Sequence, residues 1–163
     1  MLPYENLTKN LGKSLNDNEF QYFLKNYFSD LTEYNILKHN YICSEKAGIE
    51  LGFTNNDAVY DDDEEIVLEE GNPIFSHFIL YPKSSSLIMN LPYGLNFGDN
   101  RTEIIKLAGI PNETKEGNIA IFNKKFLVEN YKVGELTITF DYDANSEKIN
   151  SIQFRNNKLL ENT

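Results

Sequence analysis

The chain has 163 residues, which suits one domain spanning 1–163 that buries roughly 70% of its unfolded surface without help from a metal or a disulfide. Eleven Phe and ten Tyr argue for a packed core, while a net charge of −10 disfavours nucleic acid and anionic membranes as partners. The single cysteine, Cys43, leaves no internal bridge, and neither a basic-then-apolar start nor an apolar run of roughly 20 residues is present, so a cytoplasmic protein without a membrane span is expected.

Asn16-Asp17-Asn18-Glu19 opens a segment in which Phe20, Phe23, Leu24, Tyr27 and Phe28 recur at helical spacing. Asn followed three residues later by Glu reads as a capping box, with Asn16 as the cap. An aromatic segment follows, then a strand over Gly48–Phe53 with Ile49, Leu51 and Phe53 on one face. Seven of the ten residues from 61 to 70 are then carboxylates: Asp61, Asp62, Asp63, Glu64, Glu65, Glu69 and Glu70. A further strand is expected from Ile74 to Tyr81, and a polar connector over 82–90.

The second half repeats this punctuation. Asn100 and Glu103 form another capping box, before Ile104, Leu107 and Ala108, and Gly109 and Pro111 end the helix. Strands follow over Gly134–Phe140 and Ile149–Phe154, separated by a loop at Asp143-Ala144-Asn145-Ser146. The expected fold is therefore α+β, with two tandem helix-plus-antiparallel-strand units, 1–81 and 91–158, forming a sheet with helices packed on one face. An ordinary α+β domain whose helix starts coincide is the alternative. Residues 1–81 hold five basic and fifteen acidic side chains, whereas residues 82–163 hold ten of each, so the negative charge belongs to the first half.

The residues offer little chemistry. His39 and Cys43, four apart, would sit on one face of a strand about 13 Å from each other, too far for a nucleophile and its base. Asp141 to Glu147 begins like a calcium loop, but Ser146 stands where the turn needs Gly, and Ile152 where a bidentate Glu belongs. Consecutive carboxylates alternate in direction and form no cage unaided. Gly94 and Gly98 match neither phosphate-binding glycine pattern. Neither an enzyme nor a cofactor or metal is expected.

The stretch "LPYGLNFGDNRTEIIKLAGIPNE", residues 91 to 113, resembles the repeat unit of the β-lactamase inhibitor protein fold, in which "G-x-x-F" leads through a capped helix to "L-x-G-x-P". With "LTITFDYDANSEKINSIQF" at 136 to 154, the layout is similar to immunity proteins of polymorphic and contact-dependent toxin systems. This resemblance implies a tandem-repeat architecture with an exposed sheet face that blocks a partner enzyme. The chain departs from the secreted inhibitors in having no disulfide and no Trp, and no inhibitory residue carries over from them.

The alternation supports such a face. If Leu136, Ile138 and Phe140 turn toward the helices, then Glu135, Thr137, Thr139 and Asp141 turn outward, with Ser151, Gln153 and Arg155 beside them. Tyr60, Tyr81 and Tyr93 would flank this surface and add contact area at low entropic cost. The expected partner is a cognate toxin, basic because a nuclease must bind phosphate, toward which Asp61–Glu65, Glu69 and Glu70 steer the protein. The alternatives are a structural or adaptor module whose carboxylates serve solubility alone and, less favoured, an enzyme working with carboxylates only.

Overall fold

The computed structural model describes residues 1–29, 41–44, 47–55, 59–60, 66–67 and 73–157. The described fold is α+β and mostly sheet. Its helices are α1 (Tyr4–Thr8), α2 (Asn18–Tyr27) and α3 (Arg101–Ala108). Its strands are β1 (Tyr41–Ser44), β2 (Ile49–Asn55), β3 (Val59–Tyr60), β4 (Ile66–Val67), β5 (Pro73–Leu80), β6 (Glu113–Ile119), β7 (Lys124–Val133), β8 (Leu136–Tyr142) and β9 (Ile149–Asn156). Seven strands make one antiparallel sheet in the order β1-β2-β5-β9-β8-β7-β6, and β3 pairs with β4.

Period-two alternation assigns one face of this sheet to the core. Ile49, Leu51 and Phe53 of β2, Phe78 and Leu80 of β5, Ile152 and Phe154 of β9, and Ile138, Phe140 and Tyr142 of β8 are all buried. Phe75 joins Phe78 on that face although the two are three residues apart. The ladder steps from Gly52↔His77 to Phe53↔Phe75, so Ser76 is the extra residue of a bulge and resets the alternation. Phe78 stacks on Phe154 with ring centroids 4.6 Å apart, and Tyr131 meets Phe140 edge-on at 5.5 Å.

All three helices reach this same face. Phe20, Leu24 and Phe28 recur every four residues and are buried, with the Phe20 ring 5.2 Å from Phe75 and 6.1 Å from Phe53. Tyr4 of α1 lies 5.5 Å from Phe154, and Arg101 of α3 bonds Glu129 on β7. At the start of α2 the sequence expectation needs correction. Asp17, not Asn16, is the cap, its carboxylate accepting from the Phe20 N–H at 2.9 Å, and Glu19 pairs instead with Lys13 at 3.0 Å. At α3 the Asn100–Glu103 box is present in both directions.

In the stretch 82–90, Ser84 and Ile88 are buried and most other residues are exposed. A 3-10 turn at Pro82–Ser86 buries Ser84, and Leu2 and Ile88 form a parallel bridge beside it. Gly48, at φ 66, lies so close to this turn that a Cβ there would meet the Ser84 nitrogen at 2.8 Å. Two further strands, β6 and β7, complete the sheet beyond α3, where the sequence pattern suggested an aromatic segment only.

Candidate functional site

Opposite the core, the sheet presents a polar surface that its own alternation requires. Thr139 of β8 lies between Asn130 of β7 and Gln153 of β9, and Asn130 faces Glu113 of β6. Hydrogen bonds tie this row together. The Thr139 hydroxyl donates to Asn130 Oδ1 at 2.7 Å, and the Asn130 amide donates to Glu113 Oε2 at 2.8 Å. The Asn130 amide first, and then the Lys115 ammonium, hold the Glu113 carboxyl below its ordinary range.

The next row is Lys132, Thr137, Arg155 and His77. Thr137 points outward, but it is only 2% exposed between longer neighbours, and its hydroxyl donates to Asn157 Oδ1 at 2.9 Å. The His77 ring lies directly over Gly52, so close that any Cβ at that position would overlap it. Burial, aided by the Arg155 charge and opposed by Glu50, lowers the His77 pKa below the usual histidine value. Asp141, half-buried at the far end of β8, is raised by burial.

Glu135 is exposed in the two-residue turn between β7 and β8, where Gly134 takes φ 61. Because every ladder of the sheet is antiparallel, the end of the sheet bearing Glu135 is also the end where β2 finishes at Asn55 and β5 begins at Pro73. The acidic segment therefore leaves and re-enters the sheet at that end. Asp61, Asp62, Asp63, Glu64, Glu65, Glu69 and Glu70 lie outside the described residues, as does His39; Tyr60 belongs to β3, whose pairing with β4 brackets residues 61–65. Tyr93 is placed differently from the expectation. Held at φ 60, it contacts the core-face Tyr131 at 6.2 Å, on the helix side of the sheet.

A cluster that no sequence pattern announced lies behind this surface. Glu129 of β7 points into the core and is 0% exposed. Arg101 brings both Nε and Nη2 to 2.7 Å from its Oε1, the Tyr142 hydroxyl donates to Oε2 at 3.1 Å, and the Thr114 hydroxyl donates to Oε1 at 3.4 Å. Burial and the Glu129 charge push the Tyr131 hydroxyl up to about 12 and raise that of Tyr142 as well, so both stay protonated donors. Arg101 also reaches Glu147 at 3.4 Å, and its backbone N–H donates to the Glu147 carbonyl, which fastens α3 to the β8–β9 turn. This is a satisfied structural network, with its cation committed to two carboxylates.

At the opposite end from Glu135, the β6–β7 connection exposes apolar side chains. Ile121 is 90% and Phe122 74% exposed, in a 3-10 turn closed by Asn123 at φ 48. Beside it runs an open groove of about 820 Å³, lined in part by Tyr81, Lys124, Phe126, Asp141, Tyr142 and Asp143. The "IAIF" run that forms this turn reads in sequence as something to bury, and only its place at the sheet edge leaves it in solvent.

Among the described residues no three His, Cys, Asp or Glu side chains are placed to hold a metal ion, and no helix is long and apolar enough to cross a membrane. The arrangement offers surfaces, charge and an apolar knob. No protein-family model and no curated protein matches the sequence. Two solved structures are similar in part: a DUF4309 family protein of Bacillus subtilis (13% identity, TM-score 0.41, covering 72% of this chain and 65% of that one) and a cysteine-rich secretory protein of Staphylococcus aureus (16% identity, TM-score 0.45, covering 93% and 45%). The chain spans less than two thirds of either.

Proposed function

We propose that this chain is a cytoplasmic immunity protein that binds a cognate, basic toxin domain, a nuclease among the candidates, and neutralises it by occlusion. The observation that carries the reading is the seven carboxylates among residues 61 to 70 of the sequence, in the stretch that connects the end of β2 to the start of β5, both of which lie at the end of the sheet where Glu135 is exposed. A field of that sign draws in a phosphate-binding surface and raises the association rate by about 10- to 1,000-fold. Thr139 and Gln153, with Tyr60 near the acidic run, supply the polar contacts that fix register once the partner has arrived. In this reading the helix-then-strand units are tandem repeats whose shared outer face is the binding surface. Replacing Asp61 to Glu65 with Asn or Gln is expected to slow association with the partner and flatten its salt dependence; an unchanged rate removes the steering role.

A structural adaptor is the second reading. The exposed Ile121 and Phe122 turn favours it, since an apolar knob holds a constitutive partner without help from charge. An adaptor complex is indifferent to salt, whereas an immunity complex forms more slowly as salt rises.

A further inference from the structure

We infer that Tyr4, Glu5 and Tyr93 form a seat for one ammonium group, the head of a lysine side chain presented by a partner. The starting point is an unmet bond. Glu5 Oε2 is shut off from solvent and accepts from no donor among the described residues, and a carboxylate oxygen in that state has lost its water and gained nothing in return. No ion pair among the described residues includes Glu5.

The sheet brings two phenols to this carboxylate. Tyr4 rests on Phe154 at 5.5 Å and Tyr93 on Tyr131 at 6.2 Å, and Phe154 and Tyr131 are the ladder partners of Ile138 on its two sides. Both rings therefore stand over one row of the core face, two strand spacings or about 10 Å apart at the level of the strands. Burial first, then the Glu5 charge, then the Tyr93 hydroxyl raise the Tyr4 pKa, so Glu5 and Tyr93 both lie within electrostatic reach of the Tyr4 hydroxyl. Neither hydroxyl bonds to a described residue. Tyr93 is 39% exposed and is held at φ 60, ψ 13, a conformation uncommon for a bulky residue and one that gathers at ligand clamps.

The chemistry names the occupant. A carboxylate beside two aromatic rings attracts a cation and repels an anion. One carboxylate with neutral phenols offers too few hard oxygens for calcium or magnesium. An arginine fork needs both carboxylate oxygens side by side, and Oε2 is shut off. An ammonium carries three donors in no fixed fork, one each for Glu5, Tyr4 and Tyr93. The row lies near the end of the sheet that bears Glu135, so the source of the lysine rests on the proposed basic partner, whereas the seat itself does not.

NMR titration of the full chain with Nα-acetyl-lysine methylamide, followed at the backbone amides, tests this. Saturable shifts at Tyr4, Glu5 and Tyr93 are expected, with a Kd on the order of 1 mM. Glu5→Gln keeps the shape and removes the charge, and should weaken binding by about tenfold or more. Tyr93→Phe keeps the ring and removes one acceptor, and should weaken it by about threefold. No partner protein enters this titration, so its failure is distinct from failure of the basic-partner reading. Absence of saturable shifts at these residues, shifts that Glu5→Gln leaves unchanged, or equal binding of the norleucine analogue overturns the proposal. Tighter binding of the arginine analogue overturns it in favour of a guanidinium, and butylamine binding more than about tenfold tighter overturns it in favour of a free amine. A basic partner held equally well by the wild type and by Glu5→Gln removes the seat and leaves the acidic surface as the attraction.

Discussion

Removing the cation from the Arg101–Glu129 pair leaves a carboxylate in the interior with only two hydroxyl donors, and an uncompensated buried charge costs about 3–5 kcal/mol. Arg101→Met is therefore expected to lower stability by about 3 kcal/mol, the small end of that range because Arg101 keeps some solvent contact. Arg101→Met combined with Glu129→Leu should recover much of the loss, since no charge is then stranded; urea unfolding of the two variants checks this, and a double variant as unstable as the single one would contradict it. His77 gives a pH dependence of definite sign. Its pKa is lower in the folded chain than in the unfolded one, so its contribution is complete above the unfolded value near 6.5 and is lost as pH falls through the folded value. Stability measured from about pH 7.5 to about pH 5 should therefore fall less steeply for His77→Gln than for the wild type. Parallel curves would mean the ring titrates as it does in water.

At the level of helices and strands, the start of α2 separates two caps that look alike in sequence. Asp17→Ala should cost about 1 kcal/mol in a thermal melt, because the Phe20 N–H loses its acceptor. An unchanged melting temperature would mean that Asp17 does not cap the helix. The shift from Asn16 to Asp17 also shows what was legible. The strands at Ile49 and Leu136 announce themselves because apolar residues alternate cleanly along one buried face, and those at Pro73 and Ile149 do so despite a bulge in each ladder. Strand β6 does not, because at the edge of the sheet its Glu-Thr-Lys-Glu side chains are exposed on both sides and leave no period to read. Strand β7 hides for the opposite reason: its buried face runs Leu127, Glu129, Tyr131, and a charge in the middle breaks the pattern that a binary reading depends on. The partners of Glu129 come from α3, β6 and β8, so nothing local in the chain points to them. The outward row of Thr139 and Gln153 follows from alternation alone, but the burial of Thr137 depends on which long side chains stand beside it. That information resides in strand order rather than in sequence.

Across the whole molecule, antiparallel pairing separates two surfaces of different character. The acidic segment joins the sheet at the end where Glu135 lies, and the apolar turn with its groove occupies the other. The central claim is that such a partner exists and that charge brings it in. The most direct test is a tagged pull-down from cells co-expressing the neighbouring upstream open reading frame, washed at low and at high salt and read by mass spectrometry. The account predicts one stoichiometric basic protein, harmful when expressed alone and captured more slowly as salt rises. Recovery of nothing, or of a harmless acidic partner at both salts, would contradict it and leave the carboxylates as solvent-facing charge.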